Sequence, residues 1–144
     1  MNPLAAAALA AGELICEFSD GYRKSLLADL AGDAPRTELV LVYEALTPNG
    51  AQVLSTRTPG RRAVDVRATE NYVHLIQSEG PTVHVTTLTA CTRTKWRDGE
   101  ELCTRFSATH AWHFDAATQR APDAAYARLP SGSARGFCEP WRLD

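Results

Sequence analysis

Alternating apolar and polar residues run through most of this chain and predict a series of short β-strands. The strongest segment is 38–46, which is rich in Val, Leu and Tyr. Tight-turn sequences such as Pro48-Asn49-Gly50 separate the segments. The other predicted strands cover 14–18, 51–56, 63–67, 72–77, 82–91, 104–114 and 134–138. Consecutive short strands joined by tight turns favour an antiparallel meander.

Two segments depart from this pattern. Residues 22–31 carry leucines at helical spacing and are followed by Gly32, which predicts a short helix after the first strand. Residues 115–133 are rich in Ala, Pro and Ser and are predicted to form a loop or a short helix. The predicted fold is all-β: a single antiparallel meander, closed or nearly closed into a small lipocalin-like barrel, since closure removes the free sheet edges.

The N-terminal segment differs in composition from the rest. Residues 2–12 are small and apolar, with no charge before Glu13. We interpret residues 1–12 as a signal-peptide remnant or a disordered N-terminus. The alternative is a short Ala-rich helix belonging to the fold, although a helix of this length is marginal in water. Residues 13–144 are assigned to a single β-barrel domain.

Four cysteines set the expected compartment. Cys16 and Cys138 nearly bracket the folded region, whereas Cys91 and Cys103 bracket one polar hairpin. Three pairings are possible and the sequence does not choose among them, but barrel closure would bring the first and last strands together. This favours one disulfide between the outer two cysteines and one between the inner two. The sequence has no Cys-x-x-Cys motif or close Cys/His pair that would indicate zinc, and free buried thiols are the other alternative to disulfides. Two disulfides predict a periplasmic or secreted protein.

Composition and motifs argue against several functions. The formal net charge is −2 over 144 residues, so no global positive field attracts nucleic acid or an acidic membrane. The sequence has no apolar run of 18 or more residues, so no membrane span is predicted. There is no Gly-x-Ser-x-Gly nucleophile motif, and cysteines held in disulfides are not nucleophiles. We predict no cofactor and favour a non-enzymatic role.

The expected register places three histidines on one face of the sheet. A regular turn around 79–81 would give His74 and His84 the same direction, and the next hairpin would add His110. Tyr72 and Trp112 share this largely apolar face, which is typical of the lining of a small ligand cavity. We assign these five residues to ligand binding. Two alternatives remain: a three-His metal site, and half-buried histidines bonded to threonines.

A second candidate site lies at the tip of the hairpin bracketed by Cys91 and Cys103. Lys95, Trp96 and Arg97 combine cations with an aromatic ring, a combination that suits a partner protein or a polyanion of the cell envelope. The structural alternative is a solvated hairpin with the indole lying flat on its own strand.

Several short motifs resemble those of small exported proteobacterial β-proteins of unknown function. The matching pieces are Cys16 to Tyr22, Val83 to Leu88, His110 to His113 and Ser131 to Cys138. The resemblance covers about residues 13–140, implies a small secreted barrel and brings no catalytic residues. More broadly, the chain is similar to the membrane-bound inhibitors of c-type lysozyme, which are also compact, disulfide-bearing barrels. It departs from them in lacking their inhibitory loop pattern.

The sequence thus predicts an extracytoplasmic, non-enzymatic binding protein. Its ligand would be a small apolar molecule in the barrel or an envelope protein on the rim. The alternative function is that of a small barrel enzyme or metal-binding protein that uses a cluster of His74, His84 and His110.

Overall fold

The fold is a closed antiparallel barrel of eight strands, in a computed structural model that describes residues 2–19, 39–55, 60–79, 82–114 and 131–141. Each strand pairs with the next, and the first pairs with the last. The elements are α1 (Pro3–Ala11), β1 (Leu14–Ser19), β2 (Leu39–Thr47), β3 (Gly50–Ser55), β4 (Arg62–Ala68), β5 (Val73–Glu79), β6 (Thr82–Arg97), β7 (Glu100–Phe114) and β8 (Ser131–Pro140). The predicted all-β meander with barrel closure is confirmed.

The helix within the described residues precedes β1. The helix predicted over 22–31, and most of the loop or helix predicted over 115–133, lie outside those residues. Residues 131–133, at the end of the second segment, belong to β8. None of the described helices has the length and apolar character that crossing a membrane requires.

The barrel interior is formed by every second residue of each strand, as the alternating pattern requires. Its aromatic side chains come from β1, β2 and β7, and the remaining positions are mostly Leu and Val. The buried strand residues are Leu14, Cys16, Phe18, Leu39, Leu41, Tyr43, Leu46, Val53, Val64, Val73, Leu75, Thr86, Leu88, Phe106, Ala108, His110, Trp112, Ala134 and Cys138. Thr86 and His110 are the polar residues of this set.

The barrel closes where β1 meets β8. Cys16 lies directly opposite Cys138 in the register, and the two side chains form a disulfide inside the barrel. Two positions away on β8, Gly136 lies opposite Phe18. A Cβ atom at Gly136 would overlap the backbone carbonyl of Glu17 and the ring of Phe18. The absence of a side chain at Gly136 therefore permits the close approach of the two strands.

Helix α1 covers one end of the barrel. Its Ala5 and Ala8 are 2% exposed and belong to the core. The Asn2 side chain accepts a hydrogen bond from the Ala5 backbone N–H and donates one to the Thr69 carbonyl, so it both caps the helix and ties it to the β4–β5 turn. The N-terminal segment therefore has the helical conformation weighed as the alternative. Its origin as a signal-peptide remnant stays a prediction.

Both predicted disulfides are present. Cys16 pairs with Cys138 across 122 residues, and Cys91 pairs with Cys103 across 12 residues. Two disulfides in a small barrel are typical of proteins that fold in an oxidising, extracytoplasmic environment.

Substituting Gly136→Ala is expected to lower the free energy of unfolding by about 1–3 kcal/mol, because the added methyl group forces β1 and β8 apart. Urea denaturation measures the change. The exposed neighbour Arg135→Ala is the control and should leave stability nearly unchanged. Equal stability of the Gly136→Ala variant and the unmodified protein would contradict this account of the seam.

The two disulfides should differ in their effect on stability. In the chain-entropy model a loop of about 100 residues contributes roughly 5 kcal/mol and one of about 15 residues roughly 3 kcal/mol. We therefore expect Cys16→Ala with Cys138→Ala to destabilise the protein more than Cys91→Ala with Cys103→Ala. Denaturation of both double variants under one buffer condition checks the order, and a larger loss from the second pair would refute it.

Candidate functional site

The β6–β7 hairpin extends past the end of the barrel that α1 covers. Pairing of β5 with β6 ends at Leu88, and pairing of β8 with β7 ends at Phe106. Beyond these positions β6 and β7 pair only with each other among the described strands. Residues 91–101 are all exposed. We call residues 91–103 the arm.

Two features hold the arm in one shape. Asp98 and Gly99 both have positive φ, 53° and 81°, which is the conformation of a two-residue type I′ turn. The Cys91–Cys103 disulfide crosses the hairpin at its base. A tight turn at one end and a covalent bridge at the other leave the arm little freedom to splay, so it can present its side chains without a large ordering cost.

Trp96 is the most exposed large apolar residue of the described chain. Its exposure is 70%, so the indole does not lie flat on its own strand. Lys95 and Arg97 are its neighbours in sequence but point to the opposite face of the arm, because successive side chains of a strand alternate. On the Trp96 face, the residue directly across is Glu101.

The two strands of the arm carry opposite charges. Arg93, Lys95 and Arg97 lie on β6, whereas Glu100 and Glu101 lie on β7. The arm therefore has a basic strand and an acidic strand rather than one uniformly basic surface. A partner meets cations along one edge and carboxylates along the other.

A chain of four hydrogen-bonded side chains runs through the barrel interior. The Tyr43 hydroxyl bonds to the Thr86 hydroxyl at 2.5 Å, and Thr86 bonds to Nδ1 of His110 at 2.9 Å. Nε2 of His110 lies 3.2 Å from Nδ1 of His84. The two imidazoles are stacked, with centroids 5.4 Å apart. Strands β2, β6 and β7 are thus linked across the interior by one polar network.

Burial keeps the central imidazole neutral. His110 is 2% exposed, and the loss of hydration lowers its pKa to about 3, with a smaller effect from the charge of His84. Burial likewise raises the pKa of the Tyr43 hydroxyl far above its usual value. A neutral imidazole donates from one nitrogen and accepts at the other, so His110 donates to one of its two neighbours, Thr86 or His84, and accepts from the other.

The structure separates the histidines that the sequence placed together. The β5–β6 register pairs Gln77 with His84, so inward positions are odd on β5 and even on β6. His74 consequently points outward, where its Nδ1 lies 3.0 Å from the Thr87 hydroxyl. The prediction that His74 shares a face with His84 is wrong, because Glu79 pairs with Thr82, so an even-numbered residue of β5 lies opposite an odd-numbered residue of β6. His84 and His110 do share the interior face.

The two predicted aromatic residues are also divided. Trp112 is 4% exposed and lies 6.2 Å from His110 between ring centroids, inside the barrel. Tyr72 is 46% exposed, and its ring makes an edge contact with His74 outside. The structure therefore brings together His84, His110 and Trp112. Within the described residues, no group of three His, Cys, Asp or Glu side chains could hold a metal ion.

Sequence reasoning missed Tyr43 and Thr86 in the polar chain. The alternation of β2 places Tyr43 on the same side as Leu41, which is inward. A buried tyrosine hydroxyl needs a hydrogen-bond partner. That requirement was the available signal, but it does not identify Thr86, because the partner lies across the barrel on β6.

An apolar groove lies between α1 and the arm. Its volume is about 410 Å³. It is lined by Pro3, Ala6, Ala7, Ala10 and Ala11 of α1, by Glu101, Leu102 and Cys103 of β7, and by Pro140 of β8. The walls are mostly methyl and methylene groups, and the acidic strand of the arm forms one rim.

The buried imidazole should make stability depend on pH. An unfolded histidine has a pKa of about 6.5, so as pH falls the unfolded chain takes up this proton while folded His110 does not. Its contribution to stability is complete above pH 6.5 and is lost as pH falls toward 3, at up to about 1.4 kcal/mol per pH unit. Urea denaturation at several pH values between 4 and 7 gives the free energy of unfolding as a function of pH. This free energy should change less steeply with pH in His110→Gln than in the unmodified protein. His113→Gln, at an exposed position, is the control. Identical slopes for His110→Gln and the unmodified protein would contradict this assignment.

Comparison with known proteins gives no assignment. No protein-family model, no curated protein and no solved structure matches this chain. The arm, the interior polar chain and the groove beside α1 are therefore the features that bear on its function.

Proposed function

We propose that this protein is an extracytoplasmic, non-enzymatic binding protein, periplasmic or secreted, that recognises an envelope protein through its arm. The observation that carries the proposal is Trp96, whose indole is 70% exposed on a hairpin braced by a disulfide. Tryptophan is enriched among the residues that dominate binding energy at protein interfaces. A rigid strand pair that displays one such residue is preorganised for association.

The barrel acts as a scaffold in this proposal. Its interior is filled by side chains of 2% exposure or less, including Phe18, Phe106 and Leu88. These residues occupy the space that a small apolar ligand would need, so the interior favours a partner on the outside over a ligand within. The ligand-binding assignment of His84, His110 and Trp112 stays a prediction.

The enzymatic alternative receives less support from the arrangement of the histidines. His74 is directed away from the other two, and Nδ1 of His110 is bonded to the Thr86 hydroxyl, which in turn bonds to Tyr43. A buried imidazole with a pKa of about 3 is a poor general base at neutral pH, because a group with so low a pKa has little affinity for the proton it would have to remove.

Retention of a partner from envelope extract tests the proposal. The immobilised protein should retain a defined protein, and Trp96→Ala with Arg97→Ala should reduce retention about tenfold or more, as for loss of an interface hot spot. Both residues are exposed, so the variant should keep its stability.

The matched control changes an aromatic and a cation at another exposed place. Tyr72→Ala with Arg67→Ala removes similar groups near the β4–β5 turn and should leave retention unchanged. Equal loss in both double variants, or no loss in either, would exclude the arm as the binding element.

A further inference from the structure

Among the described strands, none pairs with the outer edge of the acidic strand of the arm. On the side of β7 that faces β8 within the barrel, pairing ends at Phe106, because β8 ends at Pro140. Proline has no N–H to continue the ladder. The next residue, Trp141, donates its N–H to the Glu13 carbonyl and so turns toward β1. Among the described strands, none pairs with this edge of β7 between Glu100 and Thr104.

The turn geometry shows which backbone groups face outward. In a two-residue hairpin the flanking pair, Arg97 and Glu100, is hydrogen-bonded within the hairpin. Pairs alternate, so Glu101 and Cys103 belong to non-hydrogen-bonded pairs. The N–H and C=O groups of these two residues point away from β6, toward the line that β8 would follow beyond Pro140.

The groove beside α1 lies along the same edge. Its lining includes Glu101, Leu102 and Cys103 on one side, Pro140 at one end and the alanine face of α1 on the other side. A strand added to β7 here would therefore have side chains of one face above the methyl groups of Ala6 and Ala10. The groove of about 410 Å³ accommodates small aliphatic side chains.

The charges indicate the chemistry of the occupant. Glu100 and Glu101 are exposed at the edge and point to opposite faces of the arm, so carboxylates stand beside both faces of an added strand. The hairpin has an extra residue on each strand near its base, Thr92 on β6 and Thr104 on β7, so bulges do not distinguish the two edges, but β6 also carries Arg93, Lys95 and Arg97. Natural edge strands are guarded by such cations. The acidic edge has no cation between residues 100 and 104.

We infer that the β7 edge at Glu101 and Cys103 binds an extended segment of the partner protein, antiparallel to β7, with alternating small apolar and basic residues. This inference rests on the proposed function and specifies its binding mode. The backbone groups of Glu101 and Cys103 supply the pairing, the α1 groove receives the apolar side chains on one face, and the glutamate on the opposite face attracts the basic ones.

The test uses a synthetic peptide, acetyl-KVKVKVK-amide, with ¹⁵N-labelled protein. We expect chemical-shift changes along 100–104 and slowed hydrogen exchange of the Glu101 and Cys103 amides at saturating peptide. Glu101→Pro removes one outward N–H without breaking a hydrogen bond of the hairpin and should weaken binding roughly tenfold or more. Glu101→Ala keeps the N–H, so it isolates the charge and should weaken binding less.

Controls separate edge pairing from general attraction. Thr94→Pro removes an outward N–H from the opposite edge of the arm and should leave peptide binding intact. A peptide methylated on the backbone nitrogens that face β7 should not bind the unmodified protein, whereas one methylated on the other nitrogens should bind. This second measurement stands even if Glu101→Pro fails to fold.

Three outcomes would overturn the inference: no protection of the Glu101 and Cys103 amides, equal weakening by Thr94→Pro, or equal binding of both methylated peptides. The proposed function fails separately. If the envelope partner is retained by Glu101→Pro but lost in the Trp96 and Arg97 double variant, the arm is still the binding element and only edge pairing is excluded.

Discussion

The pairing of β1 with β8 is the contact on which the rest of this molecule depends. It converts a meander into a barrel, and its two strands lie at opposite ends of the folded sequence. Cys16 and Cys138 face each other inside this seam, and Gly136 lets the strands approach closely. Closure over 122 residues costs more entropy than closure over 12, so in the chain-entropy model a covalent bond placed here stabilises the fold more than the Cys91–Cys103 bond does.

A closed barrel permits two unusual features of the interior, the hydrogen-bonded polar chain and the neutral, buried His110. Inside the closed sheet, a buried tyrosine, threonine and histidine satisfy one another's hydrogen bonds. Tyr43, Thr86 and His110 come from β2, β6 and β7, so the hydrogen bonds tie distant parts of the sheet together. Burial also holds His110 neutral. The polar network thus follows from barrel closure, and its hydrogen bonds also constrain how the strands that carry it are aligned.

The architecture was largely predictable from the sequence, whereas the site was predictable only in part. Alternation identified the strands because one face of each is buried, and the order of the cysteines indicated both disulfides once closure was assumed. His84 and His110 were placed correctly, since the register between β6 and β7 is even in that region. His74 was misplaced by a single residue, because the parity of a register cannot be read from a turn sequence without its length. Helix α1 was undervalued because its stability comes from Ala5 and Ala8 packing against the barrel, which propensity does not report.

The arm and the barrel answer different physical demands. A barrel protects its backbone by pairing every edge, and the arm gives up that protection over the residues that extend past β5 and β8. On β6 the exposed edge carries three cations, which discourage addition of another strand. On β7 the edge is short, acidic and adjacent to an apolar groove. Its carboxylates would repel those of a second copy of the chain, whereas its backbone donors and acceptors remain available for pairing. An edge that was merely a liability would be expected to carry the same protection on both sides. The asymmetry between the two strands is therefore the strongest physical reason to regard the arm as a recognition element and the barrel as its support.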